Sequence, residues 1–215
     1  MTESKLDLNA VKRAVHRVID WHGGQTDRSG APTIAHLFQV AGLAMKYRPH
    51  DTTVAVAALL HDVLEDVPRV TKADISNRFD SEVADIVEEC SDGVGKARDS
   101  TDWVERKTEY LARLPAKSDR ARFVSLCDKV ANTRALELDL AAHRPPREFF
   151  GDRGFNQKDP SLQLWYYSAL ADKFEAYPPS GAQRLVKELR RAVGAMRDLL
   201  QVEPPRPNAP QSARS

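Results

Sequence analysis

Cysteine is scarce in this chain: two residues, Cys90 and Cys127, in a sequence of 215. They stand far apart, in neither metal nor redox spacing, so the sequence predicts a reduced, cytoplasmic protein without a disulfide framework. An excess of one charge is missing too. Thirty-two Lys and Arg face 31 Asp and Glu, a net charge of +1, so no overall field draws the protein to nucleic acid or to an anionic membrane. A local basic pocket remains open. No apolar run approaches the length of a membrane span, and the opening MTESKLDLNA has no signal-peptide core. Alternating strand patterns, hairpin signals and internal repeats are also lacking. What remains is an ordinary globular composition, with ample material for a hydrophobic core.

The apolar residues recur at spacings of three and four, which predicts an all-α fold. Leu8, Val11, Val15, Val18 and Ile19 make one stripe, closed by Gly23–Gly24. Pro32 opens a second helix through His36, Val40 and Leu43. A third is expected from Thr52 or Thr53, as its cap, through Leu59, Leu60 and Leu64. Thr71 and Asp74 suit the start of a short helix, and EVADIVEEC continues helically after Asp80. Further helices are expected around 102–113, 119–141, 161–176 and 181–201. Residues 91–101 read as a loop, and the long connection 143–160 is not expected to be idle. The expectation is one domain over 1–201, then a disordered tail over 202–215.

Chemistry enters with AALLHDVLEDV, residues 57–67, which sets His61, Asp62, Glu65 and Asp66 in an apolar segment. Residues three and four apart share a helix face, so all four are expected to point into one cleft near a helix end. Taken alone, the pair His61–Asp62 is better read as a solvated final turn with the histidine in the core. His36, in GAPTIAHLFQV, taken alone reads as a core histidine. Downstream, FVSLCDKVANTRAL (123–136) embeds Asp128 and Asn132 among apolar residues, four apart on one face. A buried aspartate needs a cation or several donors. Three helices offering His, His–Asp and Asp can together complete a two-histidine, two-carboxylate site for a divalent ion of the Mn, Fe or Zn type.

In this order, HGGQTDRSGAPTIAH (22–36), AALLHDVLEDV (57–67) and LCDKVANTRAL (126–136) resemble the HD phosphohydrolase superfamily. Within it they resemble the Rel/Spo-type and small alarmone hydrolases. A weaker likeness links VERKTEYLARLP (104–115) to a basic segment of that group. The resemblance implies a compact helical HD fold with a metal site between helices. It implies His36, His61, Asp62 and Asp128 as ligands, usually of Mn²⁺, and Glu65 and Asp66 as the groups that orient or deprotonate the attacking water. It further implies Asn132 on the nucleotide, Tyr166 along its ribose, and removal of pyrophosphate from the 3′ position of ppGpp or pppGpp. The small-molecule partner is then a nucleotide. Phosphate oxygens need cations, and Lys129, Arg134, Arg106 and Lys107 on helices, with Lys96, Arg153 and Lys158 on loops, are candidates.

The chain departs from the group's pattern in its base-recognition segment. His22, Gly24, Gln25, Ser29, Gly30 and Pro32 fit the frame, but Asp27 stands where an arginine stacks on guanine and Arg28 where a lysine supports the nucleotide. Thr33, Leu37 and Ala135 also depart. A carboxylate cannot replace a stacked guanidinium, so the reaction class is better supported than the base. An HD hydrolase of another nucleotide, for example an adenine alarmone, is the alternative. A non-catalytic nucleotide-binding protein is the other, and Glu65–Asp66 argues against it.

Overall fold

The computed structural model describes residues 5–27, 30–91 and 102–205. Eleven α-helices are formed among them: α1 Leu8–His22, α2 Thr33–Tyr47, α3 Thr52–Leu60, α4 Val63–Asp66, α5 Lys72–Arg78, α6 Ser81–Cys90, α7 Trp103–Arg113, α8 Asp119–Ala142, α9 Phe149–Asp152, α10 Pro160–Ala176 and α11 Gln183–Leu200. No strand occurs among the described residues; one isolated bridge joins Thr26 to Pro32. The all-α expectation holds.

The core is organised by α3. Every residue from Val54 to Leu60 is buried, and a helix that is apolar all round must be enclosed by others. It packs against α1, α2, α6 and α8. The long α8 forms the second layer and is covered in turn by α11, which pairs with α10. Local chemistry sets the starts of these helices. Asp7, Asp51, Asp80, Asp102, Ser118 and Asp159 each accept a backbone N–H of the first turn. Thr71 and Asp74 form a reciprocal capping box.

Three sequence expectations need correction. Asp51 caps α3, not Thr52 or Thr53, because its carboxylate reaches Val54 N at 3.1 Å. The third helix is not continuous either. It stops at Leu60, His61 and Asp62 form a turn, and a separate short helix starts at Val63. The His61 ring supplies one cause: its Nδ1 lies 2.9 Å from the carbonyl oxygen of Ala58, so the side chain caps the last turn of α3. The last helix starts at Gln183, two residues beyond Gly181, whose φ of 71° is not helical.

The connection 143–160 is ordered. A 3-10 turn at Pro146–Glu148 leads into α9, and Phe149 and Phe150 are buried there against the ring of Phe155. Most of the predicted 91–101 loop, and the tail beyond residue 205, lie outside the described residues. Among the described residues no helix is long and apolar enough to cross a membrane.

Candidate metal centre and its surroundings

The first turn of α2, the end of α3 and the middle of α8 meet at one point. His36 Nε2 lies 3.2 Å from Asp128 Oδ1 and 3.8 Å from Asp62 Oδ2. His61 Nε2 lies 3.3 Å from Asp62 Oδ2 and 3.8 Å from Asp128 Oδ1. The donor atoms of His36, His61 and Asp128 all fall within 4.8 Å of one another. Asp62 borders this group through the two histidines, so the three helices meet as the sequence expected; the single helix face expected for His61, Asp62, Glu65 and Asp66 is instead a turn followed by α4.

The donor set fits a divalent ion. His61 is buried, and its Nδ1 is occupied by Ala58 O, which fixes the ring and leaves Nε2 facing the carboxylates. That Nε2 is enclosed yet makes no well-aligned hydrogen bond. Two imidazole nitrogens and two carboxylates around one point, with no thiolate, are the ligands of Mn, Fe or Zn sites.

The electrostatics agree. Burial alone would lower the His61 pKa, but the carboxylates of Asp62 and Asp128 outweigh it and hold the imidazole well above its ordinary value. Burial likewise works against ionisation of Asp128, yet the Lys129 ammonium and the two histidines keep its carboxyl well below the usual range. Asp62 is lowered, against its burial, chiefly by His61. Two carboxylates in a buried place hold a positive charge between them, and a proton and a metal ion compete for it.

Around this point sits a shell of orienting groups. Asn132 Nδ2 donates to Asp128 Oδ1 at 2.5 Å, and Lys129 Nζ donates to Asp128 Oδ2 at 2.6 Å. Glu65 and Asp66 occupy α4, half-buried, directly after the His61–Asp62 turn. Gln25 reaches across from the segment after α1. Its Oε1 lies 2.7 Å from His22 Nδ1, and its Nε2 donates to the backbone carbonyl of Asp66 at 3.0 Å. The α4 turn is therefore pinned from a distant part of the chain.

The remaining sequence-named residues separate. Tyr166 is buried beside Trp103, with Lys107 Nζ 4.8 Å from its ring centroid. Arg134 is paired with Glu188 of α11. Asp27 builds its own loop: its Oδ1 accepts Ala31 N at 3.0 Å, and its backbone N–H donates to Ala31 O at 2.8 Å. Arg28, Ser29 and Lys96 lie outside the described residues. Near Lys129 lie Tyr110, Lys117 and Ser125, which the sequence did not single out. Lys117 and Lys129 place their ammonium groups 4.1 and 5.2 Å from the centroid of the Tyr110 ring. The signal available was Ser125 at three and four residues before Asp128 and Lys129, on the same face of α8.

A GTP pyrophosphokinase of Myxococcus xanthus is 32% identical over 139 residues, covering 61% of this chain and 18% of that protein. A guanosine-3′,5′-bis(diphosphate) 3′-pyrophosphohydrolase of Vibrio cholerae is 34% identical over 141 residues, covering 63% and 19%. The chain thus spans about a fifth of the length of these curated relatives. A solved metazoan ortholog of SpoT, described as hydrolysing ppGpp and acting in starvation responses, matches with a TM-score of 0.68 at 22% identity, covering 89% of this chain and 99% of that one. That likeness is one of fold. The HD domain family matches residues 14–148, from α1 through α8 to the 3-10 turn before α9, and so includes His36, His61, Asp62 and Asp128. The chain belongs to the HD-domain family.

Proposed function

We propose that this protein hydrolyses the 3′-diphosphate of (p)ppGpp-like alarmone nucleotides, releasing pyrophosphate and GDP or GTP. The observation that carries the reading is the convergence of His36, His61, Asp62 and Asp128 on one point, next to a pinned turn bearing Glu65 and Asp66. The names of several relatives support it.

In this reading the four residues hold a divalent ion, Mn²⁺ by preference. When bound, the ion polarises the scissile phosphate and makes water more acidic. Glu65 and Asp66 orient the attacking water and accept its proton, work for which half-buried carboxylates beside a cation are suited. Asn132 and Lys129 keep Asp128 aimed at the cluster while remaining close enough to meet a phosphate oxygen. Tyr166, backed by Trp103 and Lys107, gives the ribose an apolar wall. Water attacks phosphorus, the bond to the 3′ oxygen breaks, and pyrophosphate leaves.

The base is a separate question. Asp27 spends a carboxylate oxygen on closing its own loop, in the position where the resemblance calls for a stacking arginine. This favours, as a second reading, the same reaction on a nucleotide with another base, an adenine alarmone among them. A panel of nucleoside 3′-diphosphates, assayed for pyrophosphate release with Mn²⁺ and with a chelator, tests both. The expected result is turnover of ppGpp or ppApp that chelation abolishes. Turnover that survives full chelation, or none on any 3′-diphosphate, defeats the proposal.

A further inference from the structure

Lys117 is a buried ammonium for which the machinery described above has no use. It lies between the 3-10 turn Leu114–Ala116 and α8, with 7% of its surface exposed. Its Nζ meets Ser125 Oγ at 3.3 Å and faces the Tyr110 ring at 4.1 Å. It forms no ion pair with a carboxylate among the described residues. A hydroxyl and a ring face recover part of the lost hydration, but a buried cation without a counter-anion is unfavourable. The nearby Cys90 thiol, 3.7 Å from Ser125 Oγ, does not supply that anion, since burial pushes its pKa up and keeps it neutral.

The position of Lys117 points to what does. Tyr110 carries Lys129 as a second ammonium, 5.2 Å from the ring centroid, and Lys129 in turn bonds Asp128 of the metal cluster at 2.6 Å. Ser125, which holds Lys117, shares the α8 face of Asp128 and Lys129. One turn earlier on α7, Lys107 lies over Tyr166. Lys129, Tyr110 and Lys117 thus form a chain of contacts that begins at Asp128. We propose that Lys117, at the far end of this chain, is an anion subsite that binds a phosphate of the diphosphate group. The inference rests on the diphosphate reading of the site and adds a binding residue to it. Its logic is that of a charge desolvated in advance: among the described residues no carboxylate neutralises this ammonium, and the ligand's phosphate does.

The test is calorimetric titration of inorganic pyrophosphate into the metal-free full-length protein, so that the probe does not sequester the ion. Wild type is expected to bind. Lys117→Met, which keeps the volume and removes the charge, is expected to bind at least tenfold more weakly, and Lys117→Arg to recover most of the affinity. Lys117→Met is also expected to melt at the same or a higher temperature, because it removes a buried charge. A purely structural lysine gives the opposite pattern, a lower melting temperature with unchanged pyrophosphate affinity, and that result overturns the proposal. Should Lys117→Met fail to fold, Ser125→Ala decides: it leaves the charge but frees the ammonium, and unchanged affinity there counts against the subsite. A wild type that hydrolyses no nucleotide yet binds pyrophosphate through Lys117 defeats the proposed reaction and leaves the subsite standing.

Discussion

Gln25 donates from Nε2 to the backbone carbonyl of Asp66 at 3.0 Å, joining the segment after α1 to the turn that bears the two proposed water-handling carboxylates. Its Oε1 is held by His22 Nδ1 at 2.7 Å, so the pin is itself braced. A bond of this kind fixes where Glu65 and Asp66 stand without touching the metal cluster. Gln25→Ala is therefore expected to lower kcat about tenfold, a typical cost of loosened positioning, with metal content unchanged. Elemental analysis beside steady-state kinetics reads both. A variant that loses its metal instead would place Gln25 in support of the ligands.

Asp128 is held by more partners than any other member of the cluster: Lys129, Asn132, His36 and His61 all face it. Asp128→Ala removes a proposed ligand and the counter-charge for two histidines at once. The expected outcome is loss of bound metal and of turnover together, and His36→Ala should follow the same course. Full metal occupancy in either variant, measured by elemental analysis after dialysis, would remove that residue from the ligand set.

Glu65→Gln and Asp66→Asn should behave differently. Amides keep the shape but accept protons poorly, so metal should stay while kcat falls by about 100- to 10,000-fold, the usual contribution of a general base. Near-normal turnover in both variants would transfer the proton to another group.

The fold was largely legible because buried helices print a 3.6-residue period and their caps are side chains visible in the sequence. Asp80, Thr71 with Asp74, and Gly23–Gly24 all marked real boundaries. For the proposed ligands, the residues alone showed that three helices could bring His36, His61–Asp62 and Asp128 together, and the resemblance supplied the set. The break between Leu60 and Val63 was not legible, because it depends on the His61 ring finding Ala58 O, and a periodic pattern carries no information on such a bond. Arg134 was legible only as a cation near Asp128. Its capture by Glu188, fifty-four positions later, is a tertiary event. Lys117 escaped for the same reason: its site is made by Ser125 and Tyr110, which come from different helices.

Asp119 supplies a test of the scaffold. Its carboxylate accepts Arg48 at 2.6 Å and Ser180 N at 2.8 Å, tying the end of α2 and the approach to α11 to the start of α8. Burial opposes ionisation, but the Ser180 N–H and Arg48 outweigh it, so the folded pKa lies below 3.8. The carboxylate contribution is thus present above pH 3.8 and is lost as pH falls through the lower, folded value. The group is 37% exposed, and solvent screening limits the effect to about 1 kcal/mol. Asp119→Asn should be less stable than wild type by this amount near neutrality, and the gap should close in strong acid. A gap in urea-melt stability that is constant from neutrality down to acid would mean that the carboxylate charge is not what stabilises the tie.

The last prediction concerns the base. Asp27 Oδ1 accepts Ala31 N at 3.0 Å, so this side chain shapes the loop whatever it does for a nucleotide. If no guanidinium stacks from this position, wild type should discriminate weakly between ppGpp and ppApp, anchored instead by the diphosphate, the metal and the ribose. Asp27→Asn retains an oxygen acceptor for Ala31 and should leave that ratio unchanged. The double change Asp27→Arg with Arg28→Lys recreates the pair found in the resembling hydrolases. It removes the Ala31 acceptor, at about 1 kcal/mol of local stability, and offers a stacking plane in exchange. The double variant should show a lower KM for ppGpp with a smaller change in kcat, because stacking acts mainly on ground-state binding. The comparison is kcat/KM for both nucleotides in wild type, Asp27→Asn, the double variant and Arg28→Ala. Strong guanine preference in wild type that persists in Arg28→Ala would mean that residues outside this loop read the base.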